Sequence, residues 1–118
     1  MVSTQEFEKA LAALEKALTE PKTDITRDAS IQRFEFCVEL AWKTAKKKLG
    51  TAATAPRVVI REMASQLLIK DPEKWFEFLD ARNMSSHTYK EDIAEKVYQA
   101  AVSFLPHAKD LLEKLRTI

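Results

Sequence analysis

The sequence predicts an all-α fold, an up-and-down bundle of four or five helices. Three observations carry this reading. Apolar residues recur at intervals of three and four along most of the chain, which is the spacing of one helix face. Strict apolar–polar alternation, the mark of a half-buried strand, is absent. The chain has one Gly and four Pro, too few for the many turns of a β-rich fold. A length of 118 residues suits one domain, spanning 1–118, with a modest core.

The first helix starts at Ser3 or Thr4 as cap, with Glu6 in reach to complete a capping box with Ser3. Phe7, Ala10, Leu11, Leu14 and Leu18 then form one stripe. Pro21 ends it, because proline disfavours helical geometry in the residue before it. Lys22 to Thr26 reads as a loop. The second helix is expected from about Arg27 to Leu49, with Ile31, Phe34, Val38, Ala41, Ala45 and Leu49 as its stripe and Cys37 and Trp42 widening it. Gly50 is placed to close it.

Thr51 to Ala55 reads as a loop of small residues. Pro56 suits a first helical turn, where its missing N–H needs no partner. The third helix is expected to reach about Ile69, with Val59, Met63 and Leu67 spaced by four. Asp71-Pro72 restarts the chain as an N-cap followed by Pro. The fourth helix turns Trp75, Phe78 and Leu79 inward. The last helix begins after Tyr89, with Glu91 and Asp92 at its positive end. Its long stripe is Ile93, Val97, Ala100, Phe104, Ala108, Leu111 and Leu115. Pro106 lies inside it, so a kink is expected near Val102, whose carbonyl loses its donor. Trp42 and Trp75 read as core or interface residues rather than ligand platforms, and His107 as a surface histidine.

Composition narrows the function. A formal charge of +1 gives no global pull toward nucleic acid, but charge is unevenly placed. Residues 27–61 hold eight Lys/Arg against three Asp/Glu, while the blocks on either side are each negative by two. Lys43, Lys46, Lys47 and Lys48 crowd the end of the second helix. They either complement the negative helix end or form a patch that attracts phosphate. One Cys and two isolated His make no zinc set. With a single Gly there is no phosphate-cradling glycine loop, and no Gly-x-Ser-x-Gly elbow occurs. Cys37 cannot form an internal disulfide, which suits a reducing cytosol. The start of the chain lacks a long apolar run, and no stretch reaches the ~18 apolar residues of a membrane span. A cytoplasmic protein without membrane contact is expected.

The richest chemistry lies in Arg82-Asn83-Met84-Ser85-Ser86-His87-Thr88-Tyr89. It holds a fixed cation, a base that titrates near neutrality and a phenol. Taken alone it reads either as a frayed helix end with polar caps or as a site. The spacing Arg82, His87, Tyr89 resembles the Arg-x4-His-x-Tyr motif of HEPN-domain proteins, and Asn83 fits that family's polar residue after the arginine. The flanks Trp75–Ala81 and Lys90–Ala94, with Ile31–Phe36 and Glu39–Lys43, resemble one branch more closely. That branch is the nucleotidyltransferase substrate-binding proteins, the small helical members of HEPN/MNT pairs. The likeness runs from about Arg27 to about Tyr98.

The resemblance implies a helical bundle. It also implies a toxin that acts as a metal-independent ribonuclease, with RNA as substrate and Arg82, His87 and Asn83 as catalytic residues. A minimal nucleotidyltransferase would neutralise it by AMPylation of Tyr89. No cofactor is expected in this chain, while ATP and magnesium are expected in the partner. The branch name implies an alternative, a non-catalytic subunit that presents substrate to a nucleotidyltransferase. Geometry adds one independent point. Five residues along a helix turn about 500°, so Arg82 and His87 point roughly 140° apart. Either the helix unwinds before His87, or two motifs meet across a two-fold axis in a homodimer. HEPN ribonucleases resemble the second solution.

Overall fold

The computed structural model describes residues 3–118. Five helices follow one another: α1 (Gln5–Thr19), α2 (Asp24–Leu49), α3 (Pro56–Ser65), α4 (Pro72–Met84) and α5 (Glu91–Arg116), with a 3₁₀ turn at Ser85–His87 between α4 and α5. No strand occurs among the described residues. α5 packs against α1, α2 and α4, while α3 bridges α2 and α4. At ~1.5 Å per residue, the 26 residues of α5 match the 39 Å long axis of the molecule.

The expected stripes make the core. Phe7, Leu11 and Leu14 of α1 meet Ile31, Phe34, Val38, Ala41 and Ala45 of α2 and Val97, Phe104, Ala108, Leu111 and Leu115 of α5. Trp75, Phe78 and Leu79 bring α4 into the same cluster. Both tryptophans are buried. Ala94, Ala101 and Leu112 are also buried on α5, whereas Ile93 and Ala100 pack at its margin.

Several boundaries differ from the sequence reading, each for a local reason. α1 has no Ser3–Glu6 capping box. Thr4 is the N-cap without a side-chain bond, and the Ser3 hydroxyl accepts from the Gln5 N–H at 3.1 Å. α2 begins at Asp24, ahead of Arg27, because Thr23 and Thr26 cap each other reciprocally. Threonine at the third position takes the role usually given to Glu or Gln. Gly50 closes α2 at φ +65°, as expected.

α3 stops at Ser65 and not near Ile69. The Leu68 N–H reaches back to the Met63 carbonyl and the Leu67 N–H to that of Ala64, the two bonds of a Schellman motif. Leu67 therefore takes the left-handed position at φ 62° and is 79% exposed. It does not continue the buried stripe of Val59 and Met63. Asp71 caps α4 through the Lys74 N–H at 3.2 Å. α5 runs unbroken through Pro106. Val102, whose carbonyl loses its helical donor to Pro106, is an exposed residue of this helix. His107, expected at the surface, is half-buried and packs edge-on against Phe78 with ring centroids 5.4 Å apart.

Candidate functional site

The site is built where α4 ends. The core anchors the helix through Trp75, Phe78 and Leu79, which fixes the angular position of the turn that follows. Arg82 and Asn83 occupy that last turn. The Ser85 N–H and hydroxyl both return to the Arg82 carbonyl, which tightens the helix into the 3₁₀ turn. The Thr88 hydroxyl donates to the Ser85 carbonyl at 3.2 Å, and the Lys90 N–H to that of His87 at 3.1 Å. These bonds end the turn and lead the chain into α5.

The turn tightens where one solution to the Arg82–His87 divergence required unwinding. A 3₁₀ turn advances about 120° per residue, against about 100° in an α-helix, so Arg82 and His87 lie roughly 180° apart. Their surroundings agree. Arg82 is half-buried and turned to α2, where its Nε lies 2.8 Å from Glu39 Oε1. The N–H is not aligned with that oxygen, so the contact is an ion pair and Nε has no hydrogen-bond partner. His87, Asn83 and Tyr89 are exposed. The His87 and Tyr89 rings stand edge to face, with centroids 6.1 Å apart. The chain thus presents imidazole and phenol together, and holds the guanidinium apart from them on α2.

Glu39 escapes a reading of the motif alone. Its second oxygen, Oε2, lies 3.5 Å from Lys43 Nζ, so one carboxylate holds Arg82 and Lys43 together. The flanking signature contains Glu39, but only the packing of α2 on α4 gives it this role. Arg27 is a second such residue. It is buried and pairs with Glu91 and with Asp28. The hydrogen bond to Glu91 pushes its pKa up and ties the start of α2 to the start of α5, just beyond the motif.

Lys43, Lys46 and Lys47 line one cavity with the start of α1, whereas Lys48 faces a different hollow beside α3. Burial pushes the Cys37 thiol up to about 12, so it is a neutral core group and no nucleophile. Among the described residues no three His, Cys, Asp or Glu side chains gather as a metal set. No helix among them is long and apolar enough to cross a membrane.

The described residues form a strand-free helical bundle that carries Arg82, His87 and Tyr89 at the junction of α4 and α5. Three comparisons place the chain among known proteins. Residues 3–117 match the family described as nucleotidyltransferase substrate binding protein like, and the chain belongs to that family. A Haemophilus influenzae protein named "Probable ribonuclease HepT" is 37% identical over 95 residues, which are 74% of this chain and 65% of that relative. The match therefore spans less than two thirds of the relative's length. A Thermus thermophilus crystal structure superposes with a TM-score of 0.87 at 32% identity, covering 93% of this chain and 98% of that one. A Haemophilus influenzae structure, described as revealing the fold of a substrate binding domain of a nucleotidyltransferase, superposes with a TM-score of 0.86 at 30% identity, covering 97% and 99%.

Proposed function

We propose that this protein is a HEPN-type toxin, a metal-independent endoribonuclease working through Arg82 and His87 at the interface of a homodimer. The separation of Arg82 from His87 carries this reading. One chain offers His87 outward and holds Arg82 against Glu39, so a complete site takes Arg82 from one subunit and His87 from its partner. His87 accepts the proton of an RNA 2′-hydroxyl as that oxygen attacks phosphorus, the P–O5′ bond breaks, and the leaving 5′-oxygen takes a proton from water. The product carries a 2′,3′-cyclic phosphate. Arg82 balances charge building on the phosphate oxygens, and Asn83 orients the imidazole or the phosphate. A homologue named as a ribonuclease supports the reading.

The neutralising partner is a minimal nucleotidyltransferase that brings ATP and magnesium. The Tyr89 oxygen attacks the α-phosphorus of ATP, pyrophosphate leaves, and the phenol loses its proton. Tyr89 is 78% exposed, as an acceptor in a second protein's active site must be. Tyr98 is half-buried on α5 beneath Lys22, whose Nζ lies 4.7 Å from the ring centroid, and stays unmodified. The attached phosphodiester pairs with a guanidinium and its nucleoside blocks the RNA.

The alternative is a non-catalytic subunit presenting substrate to a nucleotidyltransferase, favoured by the family description itself. Purified protein separates the two. RNA cleavage that persists in EDTA and is lost in His87→Ala supports the nuclease, whereas an intact RNA pool with wild-type protein sinks it. Intact mass after incubation with the partner, ATP and magnesium should show added AMP that is absent in Tyr89→Phe. A monomer by light scattering at micromolar concentration counts against the composite site.

A further inference from the structure

Beside the motif, at the junction of the α1 start and the α2 end, lies a cavity of about 720 Å³, within the range of small-molecule sites. Its lining is donor-rich. Lys43, Lys46 and Lys47 contribute three ammonium groups, against one carboxylate from Glu6. Lys43 is the one of these lysines held in an ion pair among the described residues. The first turn of α1 opens onto the same space, and its N-cap Thr4 makes no capping bond. Trp42 lines the cavity with Leu40. Its indole is 9% exposed, and its Nε1–H has no hydrogen-bond partner. That nitrogen is closed off from the open space of the cavity, so a ligand there would be sensed through the ring, over which Lys43 Nζ stands 5.7 Å from the centroid.

We infer that this cavity binds a nucleoside phosphate, with the phosphate on Lys46, Lys47 and Lys43 and the base against Leu40 and Trp42. Lysines and a helix start are suited to the anion, and an apolar and aromatic wall to the ring. Glu6 gives the base a hydrogen-bond acceptor. Lys43 joins the cavity to the motif, since Glu39 holds Lys43 and Arg82 at once. The inference deepens the proposed function by giving an RNA substrate a second anchoring point, but the cavity stands on its own residues. Its nucleotide comes either from an RNA chain or from a free mononucleotide.

The full-length protein carrying His87→Ala is titrated with AMP and, separately, with hexauridylate. The Trp42 indole N–H resonance is followed by ¹⁵N NMR, with Trp75 as the internal control. The expected result is a shift confined to Trp42, with affinity weakened about tenfold in a Lys46→Gln, Lys47→Gln variant. Because both lysines lie on the surface end of α2, the spectrum also verifies that the variant is folded. A shift with hexauridylate alone assigns the cavity to the RNA chain, and a shift with AMP alone assigns it to a free nucleotide. A Trp42 resonance unmoved by either probe at millimolar concentration overturns the inference, as does equal affinity in the lysine variant. Those results leave RNA cleavage by the wild type untouched. Loss of the nuclease reading likewise leaves a Trp42 shift standing.

Discussion

The two ends of α4 serve different tasks. Its first half enters an aromatic cluster in which Trp75, Phe78 and Phe104 meet edge to face at 5.2–5.6 Å, with Phe34 on Phe104 at 5.3 Å. Every ring there is buried, and each pair adds about 0.5–1.5 kcal/mol beyond area burial. Less than two turns later the helix carries a guanidinium Nε with no aligned acceptor, and then an exposed histidine and tyrosine. The first half is buried among rings, whereas the last turn and the segment after it carry Arg82, ion-paired to Glu39, and an exposed His87 and Tyr89. The contrast shows how a small bundle presents chemistry. It fixes the helix by its rings and leaves the last turn to face other molecules.

Substitutions can break this contrast from either side. The largest effect is expected from Phe104→Ala, which removes the centre of the ring cluster. It should destabilise by about 3–5 kcal/mol, seen as a lower urea midpoint. Next comes His87→Ala at the other end. On the proposed nuclease reading, RNA cleavage should fall by about 10²-fold or more, while stability in urea stays within about 0.5 kcal/mol of wild type. A midpoint as low as that of Phe104→Ala would show that the exposed end is structural after all.

A third test uses Cys37, which lies in the core on α2 and is fully buried. Its thiol is pushed up from 9.0 to about 12. The folded state therefore keeps a proton that the unfolded chain gives up. The thiol's contribution is intact below pH 9 and is lost as pH rises from 9 toward 12. The slope should approach about 1.4 kcal/mol per pH unit and should be shallower in Cys37→Ala. Equal slopes of urea stability against pH in the two proteins would show that burial does not hold the thiol protonated. The smallest effect is expected from Leu67→Gly. Relief of a left-handed backbone at an exposed position should raise stability by about 1 kcal/mol, seen as a higher urea midpoint.

Periodicity made most of the fold legible, because every helix buries a stripe wide enough to read from the residues. What escaped was local chemistry outside the common signals. The Thr23–Thr26 cap uses threonine where Glu or Gln marks a capping box. The end of α3 uses Leu67 where glycine marks a left-handed cap. In the candidate site, Arg82, His87 and Tyr89 could be singled out because they sit close together in the chain. Glu39 and the walls of the lysine cavity were not, because helix packing alone brings them to their partners. The divergence of Arg82 and His87 could be posed from spacing, but the tightening of Ser85–His87 decides its direction, and that rests on hydroxyl bonds no periodicity reports.

Pro106 also has a consequence for how the molecule opens. Helices fray from their ends, and each released rung makes the next easier to release. Within α5 the ladder lacks the rung between Pro106 and Val102. Opening that starts at Arg116 meets this gap before it reaches the turns that follow the motif. Amide exchange along α5 should then fall into two regimes, a faster one beyond Pro106 and a slower one before it. The motif would be insulated from fluctuations of the chain's far end.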